Sequence, residues 1–101
     1  ETKTRQYLQA LNDIARAIIM TPDEPTYYAE MASLSLRVKR TEDAEKAAQR
    51  CTELAPEYAD GHLLLGISQL ELGKKEEARL SLLKAKELGD KRADEYLKRI
   101  K

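Results

Sequence analysis

The stretch Leu63–Gly73, LLLGISQLELG, places its apolar residues at helical spacing yet carries Gly66 in its middle. A glycine inside a helix costs about 1 kcal/mol relative to alanine. That loss is offset only if the absence of a side chain gains something at that point. Outward from this helix the chain reads as a row of helices with short breaks. Thr4 to Met20 carries Tyr7, Ala10, Leu11, Ile14, Ala17 and Ile18 at the i, i+3, i+4, i+7 positions of one face. TPDEP then forbids continuation, and Pro25 suits the first turn of a second helix reaching about Val38. Thr41 is the expected N-cap of a third helix, which carries Ala44, Ala47, Ala48, Cys51 and Leu54 and ends at Pro56. Ala59 to Leu72 and Lys75 to Leu88 give two more, and Lys91 to Ile100 a short sixth behind Asp90 as its cap. Connections this short make successive helices antiparallel neighbours.

The bulk composition agrees. A length of 101 residues allows one ordinary domain. Eighteen basic residues balance 18 acidic ones, so no net field draws the chain to nucleic acid or anionic membrane. Charged residues at 36%, no Trp or Phe, four Gly and three Pro favour helix. No apolar run approaches the roughly 20 residues of a membrane span, so membrane insertion is not expected. The chain begins at Glu1 rather than Met, which suggests a processed or excised piece. The single Cys51 allows no intramolecular disulfide and leans toward a reducing, cytoplasmic compartment.

Shifted by 34 residues, the chain matches itself in size and polarity. Ala44 falls on Ala78, Leu54 on Leu88, Cys51 on Ala85, Ala32 on Gly66, Met31 on Leu65 and Tyr28 on His62. In the other direction Ala10 meets Ala44, Ala17 meets Cys51, Met20 meets Leu54 and Pro22 meets Pro56. Repeated small residues mark where helix axes come close. Gly66 is therefore expected where the fourth helix crosses the fifth, against Ala78.

This pattern resembles the tetratricopeptide repeat family. The marks are His62, Leu65-Gly66, Gly73, Ala78, Ala85 and Leu88, with Asp90 where proline is usual, and before them Tyr28, Met31-Ala32, Ala44, Cys51, Leu54 and Pro56. The resemblance implies an all-α fold, with antiparallel hairpins stacked in a right-handed superhelix of about six helices. It implies one domain over residues 1–101. Residues 5–24 are then the second helix of a partial repeat, 25–58 and 59–90 two full repeats, and 91–101 a capping helix.

The family implies a protein-interaction scaffold that holds a peptide or partner helix in a concave groove, here as a segment of a longer chain. The alternative is a regulatory or targeting appendage of an enzyme whose catalytic part lies elsewhere. By analogy the groove is lined by Thr26, Ala29, Ser33, Leu36 and Arg37 on one helix. Asp60, Leu63, Ile67, Leu70 and Glu71 line it on the next, and Asp94, Leu97 and Lys101 continue the row. One subclass grips a C-terminal carboxylate with Lys, Asn and Arg on these faces. The corresponding residues here are Ala29, Ser33, Leu64 and Asp60, so acidic chaperone tails are not expected to bind. Leu63, Ile67 and Leu70 share one stripe, which either meets an apolar partner or lies under the last helix. The first helix lacks its hairpin partner, so Leu11, Ile14 and Ile18 are expected to be open. A longer repeat array would cover them, or two chains would pair through this end.

No residues group as a nucleophile–base pair, metal cluster or phosphate loop, so neither catalysis nor a cofactor is expected. His62 stands alone at a packing position, and Cys51 at a small, packed one. GKKEEA lacks the spacing of a phosphate-binding loop and has no strand before it. Tyr27, Tyr58 and Tyr96 suit either a partner contact or repeat packing.

Overall fold

The computed structural model describes residues 2–100 and contains six helices: α1 Thr2–Met20, α2 Pro25–Arg37, α3 Thr41–Leu54, α4 Ala59–Glu71, α5 Lys75–Glu87 and α6 Ala93–Lys98. Each helix packs on its sequence neighbour, and α2 also meets α4. The result is a right-handed superhelix of stacked hairpins.

Two local devices punctuate it. The helices α2, α4 and α5 close with the same C-terminal motif. Arg40 N donates to Ser35 O at 2.8 Å, Lys74 N to Gln69 O at 2.8 Å, and Asp90 N to Ala85 O at 3.0 Å. The residue before each donor is left-handed: Lys39 at φ 66°, Gly73 at φ 81° and Gly89 at φ 105°. By contrast α1 and α3 run into Pro22 and Pro56. The carbonyl of each proline accepts from the helix that follows: Tyr28 Oη donates to Pro22 O at 2.9 Å, and His62 Nε2 lies 2.8 Å from Pro56 O. A carbonyl can only accept, so His62 Nε2 carries the hydrogen. The lone histidine repeats the role of Tyr28, 34 residues on.

These closures also displace two expected caps. Thr41 is the first residue of α3 rather than its N-cap, because Arg40 closes the previous turn. Thr41 Oγ1 instead reaches Glu71 Oε1 at 3.4 Å. Asp90 likewise closes α5, so α6 starts later, at Ala93. The Asp90 carboxylate still accepts from Arg92 N at 3.1 Å.

The core has two parts. Ala29, Ala32, Ala47, Ala48, Cys51, Leu64 and Leu65 fill the space among α2, α3 and α4. Leu63, Leu82, Ala85 and Ala93 fill that among α4, α5 and the last helix, with Ile67, Tyr96, Leu97 and Ile100 packed against them. Gly66 lies against Leu82 of the second part. A Cβ there would stand 2.7 Å from Leu82 Cγ and 3.3 Å from Leu82 N. The crossing of α4 and α5 lies where expected, but its filler is Leu82 rather than Ala78. The missing methyl gives way to a larger side chain, and Leu82 is completely buried. Polar residues in this core are satisfied internally. Ser68 Oγ donates to Leu64 O at 2.8 Å, and Ser81 Oγ to Gln69 Oε1 at 2.7 Å.

Ile14 corrects an expectation. It is buried, not open, because α2 packs over that face of α1. Leu11 and Ile18 are half-buried. The exposed apolar residues of α1 are Ile19 and Met20, at its end.

Candidate functional site

The inner faces of α2, α4 and the last helix enclose a groove of about 660 Å³. α2 contributes Ser33, Leu36 and Arg37. α4 contributes Asp60, Leu63, Leu64, Ile67 and Glu71. Arg92, Glu95, Tyr96 and Arg99 form the far wall. Of the residues expected to line it, Ser33, Leu36, Arg37, Asp60, Leu63, Ile67 and Glu71 come together here. Ala29 sits inside the first core cluster, and Leu70 is not among the lining residues.

The expected apolar stripe divides. Leu63 is 2% exposed beneath Ala93 and Tyr96, so the last helix covers it. Ile67 is half-buried and still faces the groove. Asp94 pairs with Lys86 at 3.0 Å, Leu97 packs on the second cluster, and Lys101 lies outside the described residues.

The far wall is the part that sequence reasoning did not assign to the groove. Its residues obey a helical rule: 92, 95, 96 and 99 are spaced i, i+3, i+4, i+7. Arg92 fixes this wall to the floor. Its Nη2 lies 2.9 Å from Asp60 Oδ1 and 2.7 Å from Asp90 Oδ2, and its Nε lies 3.0 Å from Asp90 Oδ1. The Arg92 guanidinium holds the Asp90 carboxyl below its usual range. The two carboxylates in turn push the Arg92 pKa up. Arg99 stacks over Tyr96 at 4.9 Å, and Arg37 over Tyr7 at 5.5 Å. Three arginines thus face Asp60, Glu71 and Glu95, so the groove carries no charge excess.

Among the described residues, no group of three or more His, Cys, Asp or Glu could hold a metal ion. Among the described residues, too, no helix is long and apolar enough to cross a membrane. Cys51 is enclosed in the core, and burial with the nearby Asp60 charge pushes its thiol from about 9 to about 11. It is a packing residue with little nucleophilic character at neutral pH.

No family model matches the chain. It is 30% identical over 95 residues to the small glutamine-rich tetratricopeptide repeat-containing protein 2 of Saccharomyces cerevisiae, which covers 94% of this chain. It is 34% identical over 76 residues to the TPR repeat-containing thioredoxin TTL4 of Arabidopsis thaliana, covering 75% of this chain. The chain spans 28% of the length of the first and 11% of the second. Among solved structures, the first TPR of Spaghetti (RPAP3), bound to the HSP90 peptide SRMEEVD, superposes with a TM-score of 0.91 at 24% identity. The match covers 98% of this chain and 80% of that one. The second TPR domain of human RPAP3, in complex with the HSP70 peptide SGPTIEEVD, superposes with a TM-score of 0.89 at 26% identity, covering 98% and 84%.

Proposed function

This chain belongs to the tetratricopeptide repeat family, and from that premise we propose that its concave groove binds a peptide or helix of a protein partner, without chemistry of its own. In this reading residues 25–58 and 59–90 are two repeats, 5–24 the second helix of a partial one, and 91–101 the cap. The observation that carries the proposal is the groove itself: a 660 Å³ concavity walled by three helices, with Leu36, Ile67 and Tyr96 as apolar contacts between opposed charges. The peptides held by RPAP3 domains of the same fold support the kind of ligand.

The charge balance argues against an acidic tail. Arg92 is already shared by two carboxylates, and by the family resemblance Ala29, Ser33, Leu64 and Asp60 stand where one subclass carries the Lys, Asn and Arg of its carboxylate grip. The preferred ligand is therefore an amphipathic segment of mixed charge. The test uses two labelled peptides, SRMEEVD and a neutral amphipathic helix with a leucine face. The helix is expected to bind, to shift the amide resonances of Ser33, Ile67, Glu71 and Tyr96, and to be lost in Ile67→Glu. Shifts confined to other faces would overturn the groove reading. Equal binding of SRMEEVD in the groove would overturn only the exclusion of acidic tails.

A second reading rests on the relative TTL4, in which TPR repeats share a chain with a thioredoxin. There the same groove would be a targeting or regulatory appendage of an enzyme whose catalytic part lies outside these residues. Attaching this chain to an unrelated reporter and finding groove-dependent recruitment in cells would fit both readings. The sequence of the parent gene separates them.

A further inference from the structure

A second groove lies on the other side of α2. At 3.6 residues per turn, Tyr28, Met31 and Ser35 stand roughly 180° from Ser33, Leu36 and Arg37. These three form the floor of a cleft of about 410 Å³ between α1 and α3. Leu11, Asn12 and Ala15 form one wall and Ala47 part of the other. Leu8, Leu11, Ala15 and Ile19 make a stripe at i, i+3, i+7 and i+11 along α1, about 16 Å long. It ends on Ile19, which is 79% exposed.

The rim of this cleft is cationic, unlike the concave groove. Arg40, Lys46 and Arg50 face it against Asp43 alone. The repeat explains the excess. Thirty-four residues on, Lys74 takes the place of Arg40 and Glu45 the place of Leu11. Lys74 Nζ grips Glu45 at 2.9 and 3.1 Å, tying α5 to α3. At the α1–α3 junction the carboxylate is replaced by Leu11, and among the described residues Arg40 and Lys46 have no acidic partner. Arg50 has only the exposed Glu53, at 3.4 Å. The junction thus has the cation of the repeated ion pair and an apolar wall where its anion belongs.

We propose that the α1–α3 cleft is a docking surface for an acidic amphipathic helix of a protein partner. The partner's apolar face lies on Leu11, Ala15 and Met31. Its carboxylates supply to Arg40 and Lys46 what Glu45 supplies to Lys74. The stripe on α1 spans three helical turns, which fits a helix lying along the cleft. This surface is separate from the concave groove and does not depend on it.

The experiment measures fluorescence polarisation of a labelled 14-residue helical peptide, leucine on one face and glutamate elsewhere, with a lysine-for-glutamate control. The unsubstituted chain is expected to bind the acidic peptide, more weakly as salt rises, and to reject the control. Leu11→Glu rebuilds the internal ion pair with Arg40 and is expected to weaken binding at least about tenfold, with the melting temperature kept. Arg40→Ala is expected to weaken it severalfold, while Ile67→Glu in the concave groove leaves it unchanged. Absence of binding by the unsubstituted chain would overturn the proposal. So would binding indifferent to Leu11→Glu and Arg40→Ala, or binding abolished by Ile67→Glu. If Leu11→Glu unfolds the chain, Arg40→Ala and the salt dependence decide.

Discussion

The hairpins α2–α3 and α4–α5 make the same crossing with differently divided volume. In the first, Ala32 and Ala48 occupy the two equivalent positions, and both are completely buried. In the second those positions hold Gly66 and Leu82, the small residue made smaller so that its partner can be large. The same holds for contacts between helices. Tyr7 meets Arg37 through its ring, and 34 residues on Thr41 meets Glu71 through a hydroxyl. Tyr28 and His62 each reach a proline carbonyl with different rings. The chain conserves positions of contact and lets their chemistry vary. Where one partner changes without the other, as at Leu11 and Arg40, a contact is left open.

The strongest way to break the comparison is Leu82→Ala. It leaves a cavity beside Gly66 that Ala48 never had to fill, and the expected loss is about 2–5 kcal/mol in chemical denaturation. Gly66→Ala alone puts a methyl against Leu82 and is expected to cost about 1–3 kcal/mol, despite the better helix propensity of alanine. Combining the two gives the second hairpin the residues of the first. The double variant should be more stable than the sum of the single losses by about 0.5–3 kcal/mol. Strict additivity would mean that the two residues do not share one packing site.

A smaller test concerns the hairpin turns. Lys39 and Gly73 occupy equivalent left-handed positions, which disfavour any side chain. Lys39→Gly is expected to stabilise by about 0.5–1 kcal/mol, and Gly73→Lys to destabilise by about 1–2 kcal/mol. Thermal melts resolve both, since 1 kcal/mol shifts the midpoint by about 4–8 °C in a domain of this size.

The smallest difference at neutral pH is Cys51 against Ala85, its equivalent. The buried thiol is raised from about 9 to about 11, so the unfolded chain releases its proton first as pH rises. Stability from this residue is intact below pH 9 and declines as pH climbs toward 11. Cys51→Ala should flatten that alkaline decline in a series of denaturant titrations. An unchanged slope would place its cause elsewhere.

Much of this was legible in the sequence because helices, breaks and the 34-residue period are local signals. The six helices and the crossing at Gly66 follow from spacing and residue size, whereas the hydrogen bond of His62 to the Pro56 carbonyl does not. What faces Gly66 was not legible. Ala78 and Leu82 lie four residues apart on one face of α5, and only the axial offset of the helices chooses between them. Ile14 is not legible as buried because a missing neighbouring helix implies an open face, whereas packing of α1 on α2 suffices to bury it. In the groove, the family analogy names Ser33, Leu36, Arg37, Asp60, Leu63, Ile67 and Glu71, which come together, but also Ala29 and Leu70, which do not, and it leaves out Leu64. The Arg92–Asp60–Asp90 fork was not legible, because it joins residues 32 positions apart through a turn that the period does not describe.

Cys51 has a further consequence for how this domain can be observed. It is the sole thiol of the chain, with no exposed surface, walled in by neighbours from α2, α3 and α4. A thiol reagent reaches it only when those helices part. Its labelling rate therefore clocks the opening of one interface, and the protein carries its own single-site gauge of how often its hairpins separate.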